Sequence, residues 1–157
     1  MKSTGADIIT IQSALKPNST QDLLYLFGPE FDHVLTHGND FSKTSSSSKA
    51  STAVLWRKDR YRAKVVNVRS LAGTAITTFM TAESSLTMVH LWAIDKAELA
   101  SLTIVSWTPD PCRRSGLPDK NRLSMLESLL RFLSLFRRGS NLKVCEVHFY
   151  CILMKSY

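Results

Sequence analysis

The sequence PDKNRLSMLESLLRFLSLFRRGSNLKVCEVHFYCILMK, at residues 118–155, predicts a helix, a glycine stop and a strand, and we build the predicted fold outward from it. Its apolar side chains recur three or four positions apart, which places them on one face of a helix. They form two rows: Leu123, Leu126, Leu130, Leu133 and Met125, Leu129, Phe132, Phe136. Gly139 follows two arginines, a combination that favours a helix end. We therefore predict a long amphipathic helix over residues 121–136.

After the glycine, the apolar pattern changes to every second residue. Cys145, Val147 and Phe149 share this period, and Cys151 and Leu153 continue it. Alternation of this kind is typical of a β-strand. Residues 142–155 are therefore predicted to form a closing C-terminal strand.

The middle of the chain is rich in β-branched and aromatic residues, which favour strands. We predict strands at residues 53–56, 61–69, 74–82, 86–94 and 99–107. The connections between them are too short for the crossovers that parallel pairing needs. The expected fold is α+β, with an antiparallel sheet of four to six strands covered by a short N-terminal helix and the long C-terminal helix.

The N-terminal third is less regular. Residues 7–15 read as a strand and residues 20–27 as a short helix, whereas residues 31–39 fit either a helical turn or an ordered loop. A serine-rich stretch at residues 41–52 is too polar to order itself, so we expect a mobile loop there. Residues 1–157 are expected to form one domain around this loop.

Composition fits a globular protein, with 44% hydrophobic and 21% charged residues. No apolar run approaches the roughly 18 to 20 residues of a membrane span. The first residues lack a secretion signal, and three cysteines without a CxxC pair argue against a disulfide framework or a zinc site. We expect a protein kept inside a cell, in the cytoplasm, the nucleus or at the inner membrane face, and not secreted.

The net charge of +7 is concentrated in two basic blocks. In the first, cations recur at every second position, which on one strand would form a ladder with a spacing close to that of nucleic-acid phosphates. Its predicted polyanion-binding residues are Arg57, Lys58, Arg60, Arg62 and Lys64, with Trp56 and Tyr61 interleaved for stacking on bases or for a lipid interface. The alternative is a solvated hairpin whose charges protect a sheet edge from pairing.

The second basic block precedes the C-terminal helix. Arg113, Arg114, Lys120 and Arg122 surround a loop that leads into the helix N-terminus, where free N–H groups favour anions. The P-loop spacing is absent, as are the GxGxxG, GxSxG and HExxH motifs. This block is the second half of the predicted polyanion site.

A cluster of Asp32, His33, His37 and Asp40 is the one candidate for site chemistry. On a helix, His33 and His37 would face one way and could ligate a metal or move protons. A third ligand is missing and Gly38 breaks a helix, so surface histidines explain the cluster more simply. We expect no catalytic residues, no metal and no cofactor.

Together these features favour a non-enzymatic, basic structural or assembly protein that binds a polyanion. Its expected partners are RNA or a nucleoprotein, or an anionic membrane surface bound peripherally, with self-association left open. Small, basic, β-rich proteins that join a nucleoprotein to a membrane include viral matrix proteins, and the likeness is one of type. The alternatives are a small phosphate-handling hydrolase or nuclease that uses residues 32–40, and a protein-interaction module.

Overall fold

The computed structural model describes residues 5–12, 25–37, 51–80, 84–95, 101–108, 119–139 and 145–149. This part of the chain contains seven strands, two α-helices and a short 3₁₀ helix, besides a helical turn at residues 25–27. In chain order they are β1 (Ile8–Gln12), β2 (Phe31–His37), β3 (Ser51–Arg57), β4 (Tyr61–Val65), α1 (Val68–Ala72), the 3₁₀ helix (Gly73–Thr78), β5 (Ser85–Ala93), β6 (Ser101–Thr108), α2 (Asp119–Gly139) and β7 (Cys145–Phe149). The predicted α+β class is confirmed.

The strands form two sheets, where one antiparallel sheet was predicted. The first sheet has the order β1-β3-β2 and the second the order β4-β5-β6-β7. Because β3 already has a neighbour on both sides, the strand that follows it cannot pair with β3, and it joins the second sheet. The chain makes this change through residues 58–60, a turn closed by a hydrogen bond from the Arg60 N–H to the Arg57 carbonyl. We call this turn the corner.

The last strand pairs in parallel, which also differs from the predicted antiparallel sheet. β7 lies beside β6 with Ser101 opposite Cys145 and Val105 opposite Phe149. Parallel strands require a long crossover between them. The chain between β6 and β7 is long enough because it contains α2, so the helix that organises the sequence also permits this pairing.

Residues 73–78 form a 3₁₀ helix, where a strand over residues 74–82 was predicted. Asn67 caps the preceding helix α1 by accepting a hydrogen bond from the Ser70 N–H at 3.1 Å. The buried Ile76, Phe79 and Met80 lie three and four positions apart, which is a helical spacing. Asn67 also explains why β4 ends at Val65, since the cap begins a helix where the predicted strand 61–69 would continue.

The N-terminal predictions have mixed outcomes. Residues 31–39 were assigned to a helical turn or a loop, but Phe31–His37 is strand β2, in which Val34 faces the opposite side from Phe31 and Leu35. Residues 25–27 are helical, within the predicted helix 20–27. Residues 51–52, assigned to the serine-rich loop, begin β3 and are buried. The remainder of that loop lies outside the described residues.

Three apolar clusters hold these elements together. Between the two sheets lie Val54, Trp56, Val89, Leu91 and Ile104. The helices pack on the other face of the second sheet, where Leu129 and Leu133 of α2 join Phe79, Met88 and Trp107. A third cluster, Phe31, Ala53 and Leu55, lies on the outer face of the first sheet. None of the helices among the described residues is long and apolar enough to cross a membrane.

Candidate polyanion-binding face

The first basic block does not form the predicted ladder, because the corner divides it. Arg57 ends β3, Lys58 and Arg60 lie in the corner, and only Arg62 and Lys64 lie on β4. The five cations thus belong to two sheets and a turn, not to one strand. Arg57 and Arg60 are paired with carboxylates, whereas Lys58, Arg62 and Lys64 have no ion-pair partner in the described part of the chain.

Arg57 and Arg60 have carboxylate partners within the chain. The Arg57 guanidinium donates two hydrogen bonds to the Asp59 carboxylate, both of 3.0 Å. Arg60 Nη1 lies 2.7 Å from Asp7 Oδ2. The hydrogen bond from Arg57 lowers the pKa of Asp59, and the same contact raises the pKa of Arg57. A phosphate that approached Arg57 would have to compete with Asp59, and one that approached Arg60 would have to compete with Asp7.

Arg62 and Lys64 are exposed and face the same side of the second sheet. Two positions apart on β4, they are separated by about 6.6 to 6.8 Å along the strand. Across the ladder, Arg62 is opposite Trp92 and Lys64 is opposite His90. Neither cation has an ion-pair partner among the residues that the structure describes. We call Arg62, Lys64, His90 and Trp92 the cationic face.

His90 and Trp92 form the aromatic part of this face. Their rings meet edge to face with centroids 4.4 Å apart. His90 Nδ1 lies 2.9 Å from Thr103 Oγ1 on β6, and His90 Nε2 is buried without a hydrogen-bond partner. Burial, and then the positive charge of Lys64, lower the pKa of His90. At neutral pH the imidazole is therefore neutral and packs as an aromatic ring beside two cations.

Trp56 and Tyr61, the predicted stacking residues, belong to the core instead. Trp56 is 5% exposed and lies between the sheets, and Tyr61 packs against the same cluster. Side chains alternate along a strand, so Tyr61 faces away from Arg62. The aromatic residue that accompanies the cations is Trp92, which sequence reasoning missed. Its position beside Arg62 depends on the pairing register of β4 and β5, for which the sequence gives no local signal.

Little of the second basic block lies within the described part of the chain. Arg113 and Arg114 lie outside the described residues. Lys120 and Arg122 belong to the first turn of α2, and their side chains are outside the described part. Their role in anion binding stays a prediction.

Asp32, His33 and His37 lie on a strand and not on a helix. Residues 31–37 are extended, so His33 and His37 are separated by about 13 Å along β2 rather than by one helical turn. Asp32 accepts a hydrogen bond from the His33 backbone N–H at 3.0 Å, and Asp40 lies outside the described residues. Within the described ranges, no three His, Cys, Asp or Glu side chains are grouped to hold a metal ion.

A small cavity of about 170 Å³ opens where β4 ends. Residues 65–69 form one wall, and Ile76, Met80, Leu86 and Met88 form the apolar remainder, with Thr36 at one side. The cavity is mainly apolar and contains none of the cationic-face residues. It is a separate feature from that face.

Comparisons of the chain with protein-family models, with curated proteins and with solved structures gave no match. The function is therefore inferred from the geometry of the chain alone.

Proposed function

We propose that the protein is a non-enzymatic binding and assembly protein whose cationic face binds the phosphates of single-stranded RNA, alone or in a nucleoprotein. One observation carries this proposal: Arg62 and Lys64 are exposed, have no carboxylate partner in the described part of the chain, and lie beside Trp92. Such free cations attract a polyanion and release its counterions on binding.

The arrangement of aromatic and cationic groups favours nucleic acid over other polyanions. Proteins that bind single strands combine cations along the backbone with aromatic rings on which bases stack. Trp92 is partly exposed and directly across from Arg62. One nucleotide could therefore place its phosphate at Arg62 and its base against the indole. A membrane surface offers phosphates but no base to stack.

We further propose that the protein acts inside a cell as a matrix-like component, in one domain in which α2 is a long amphipathic cover on the second sheet. Its positive charge would attract a nucleoprotein, and peripheral contact with an anionic membrane would use the same cations at about 1 kcal/mol each. The basic residues that precede α2 in the sequence would supply further cations. The nucleoprotein and the anionic membrane are the proposed partners, and the experiment below tests binding to RNA and to lipid.

The experiment compares two ligands and two double variants. Binding of the purified protein to a fluorescent 15-nucleotide oligouridylate and to phosphatidylcholine vesicles, with and without phosphatidylserine, is measured at about 50 and 200 mM salt. Arg62→Glu/Lys64→Glu should weaken RNA binding more than tenfold. The control Arg69→Glu/Arg131→Glu makes the same change in net charge at exposed helical positions and should have a smaller effect.

Each outcome has a definite meaning. Salt-sensitive RNA binding that the β4 variant loses and the control retains supports the proposal. Equal loss in both variants would mean that net charge alone matters, and binding only to phosphatidylserine vesicles would assign the face to membranes. Absence of binding at low salt would overturn the polyanion function.

A further inference from the structure

β4 has an open edge whose backbone groups point away from the protein. The ladder between β4 and β5 is bounded by hydrogen bonds of 2.9 Å from the Val66 N–H to the Met88 carbonyl and from the Ile94 N–H to the Arg60 carbonyl. Backbone groups in an antiparallel strand alternate in direction. Residues 60, 62, 64 and 66 therefore bond to β5, and the N–H and C=O groups of Tyr61, Ala63 and Val65 point outward.

Within the described part of the chain, this edge is uncovered. Residues 62–65 are all exposed, and Val65 has 53% of its surface accessible although it is an apolar strand residue. No hydrogen bond to the outward groups of Tyr61, Ala63 or Val65 occurs within the described structure. Unpaired edges of this kind are templates for an additional strand.

We propose that the β4 edge binds an extended acidic segment of a partner protein, which adds to the second sheet as a further strand. Residues opposite each other in neighbouring strands lie on the same face. The partner's carboxylates would therefore lie beside Arg62 and Lys64, and its apolar side chains beside Tyr61, Ala63 and Val65. An alternating acidic and β-branched sequence matches both faces of the edge.

Charge disfavours a second copy of this chain as the occupant. Antiparallel self-pairing about Ala63 would place Arg62 opposite Lys64 of the other copy, twice. Parallel pairing would also bring like charges together. Like charges directly opposite each other destabilise a sheet, whereas a partner with Glu or Asp at those positions gains two favourable pairs.

The cavity at the end of β4 gives the partner segment a second contact. Its wall at residues 65–69 continues directly from the strand, and its lining is mainly apolar. A cavity of roughly 150 Å³ can hold a benzene ring, so this one can receive one leucine or phenylalanine side chain. The partner segment would thus end in an apolar anchor next to Val65.

This interaction does not rest on the proposed RNA binding, because it uses the backbone of β4. It would regulate that binding, since the same two cations cannot hold carboxylates and phosphates at once. An acidic partner strand and RNA should therefore compete.

The test uses a fluorescent peptide of the sequence VEVEVL with blocked termini, titrated with the full chain and followed by anisotropy. A second peptide carries N-methyl groups on alternate residues that would bond to β4, so its charge is unchanged and its hydrogen bonding is removed. We expect saturable binding of the first peptide, at least tenfold weaker binding of the second, and displacement of the first by oligouridylate.

The matched protein variant is Ala63→Pro. The Ala63 N–H points outward, so proline removes a donor for the partner without removing a bond of the β4–β5 ladder. Peptide binding should fall at least tenfold while RNA binding and the melting temperature stay close to wild type. If Ala63→Pro has a much lower melting temperature than wild type, the comparison of the two peptides with the wild-type protein tests the same hydrogen bonds.

A charge exchange tests the side chains. Arg62→Glu/Lys64→Glu should lose the acidic peptide and bind VKVKVL instead. Retained binding of the N-methylated peptide, or undiminished binding of VEVEVL by Ala63→Pro, would overturn strand addition. Concentration-dependent dimerisation that Ala63→Pro abolishes would overturn the charge argument and assign the edge to self-pairing.

Discussion

His90 is the buried residue of the cationic face and lies on β5. One side of its ring contacts Trp92, and its Nδ1 lies 2.9 Å from the Thr103 hydroxyl. Lys64 lies directly across the ladder. A charged imidazole would thus be partly desolvated and close to another cation, and both effects lower the pKa of His90, burial more strongly.

The first prediction concerns the pH dependence of stability. The folded chain has a lower His90 pKa than the unfolded chain, where the pKa is about 6.5. Because the imidazole binds a proton more readily in the unfolded chain than in the folded chain, acid shifts the equilibrium towards unfolding. The free energy of unfolding should be highest above pH of about 6.5 and should decrease as the pH falls below it, until the folded imidazole is protonated as well.

Urea unfolding of wild type and His90→Gln at about pH 7.5 and 5 measures this effect. The glutamine retains a polar group and does not titrate, so the decrease between the two pH values should be smaller in the variant. Lys64→Gln should reduce the decrease in part. An equal pH dependence in wild type and His90→Gln would contradict the assignment of the effect to His90.

At the scale of elements, a layer of hydroxyl groups joins the two sheets. Thr52 Oγ1 of β3 lies 2.7 Å from Thr87 Oγ1 and 3.0 Å from Ser85 Oγ on β5. Ser85 Oγ also donates to the Thr36 carbonyl of β2 at 2.8 Å. Thr52, Ser85 and Thr87 are buried. Hydrogen bonds thus link the sheets at one end, and the apolar cluster around Trp56 links them at the other.

The second prediction is a coupling between Thr52 and Thr87. Thr52→Val should lower the free energy of unfolding by about 1 to 3 kcal/mol, because it removes the buried hydroxyl that contacts Thr87 Oγ1 and Ser85 Oγ, at about 0.5 to 1.5 kcal/mol for each hydrogen bond. Adding Thr87→Val should cost less than the sum of the two single changes. Chemical denaturation of the four proteins gives the interaction energy, and strict additivity would contradict a hydrogen bond between the Thr52 and Thr87 hydroxyls.

The third prediction compares two leucines of α2. Leu129 is 1% exposed and packs in the helix–sheet cluster, whereas Leu135 on the same helix is 66% exposed. Leu129→Ala should cost about 2 to 5 kcal/mol. Leu135→Ala should change stability by less than about 0.5 kcal/mol. Similar costs in thermal or urea unfolding would mean that α2 packs by another face.

Several element types could be predicted because their signals are local. The rows of leucine and phenylalanine around Leu129 predict the helix, and the spacing of Ile76, Phe79 and Met80 contained the helical signal that β-branched neighbours obscured. The corner could not be predicted in this way. It depends on β3 being enclosed by β1 and β2, and on contacts such as Arg60 with Asp7, which are 53 residues apart.

At the scale of the whole molecule, charge is divided between internal pairs and free groups. The net charge of +7 alone does not show which cations can bind a ligand. Arg57 and Arg60 have carboxylates within 3.0 Å, and Arg62 and Lys64 have none in the described part. The central claim of the proposed function is therefore that the second pair, and not the first, contacts phosphates.

The salt dependence of RNA binding tests this claim most directly, because its slope counts the phosphates that are neutralised. For single strands, each phosphate contact contributes about −0.7 to the slope of log Kobs against log salt concentration. Two double variants with equal net charge are compared with wild type, Arg62→Ala/Lys64→Ala and Arg57→Ala/Arg60→Ala. The measurement is fluorescence anisotropy of oligouridylate over a series of salt concentrations.

We expect the slope of Arg62→Ala/Lys64→Ala to be shallower than that of wild type by about 1.4, the value for two phosphate contacts. Arg57→Ala/Arg60→Ala should keep the wild-type slope, because its two arginines already have carboxylate partners. The reverse pattern, or an equal loss of slope in both variants, would contradict the division of the basic block into paired and free cations.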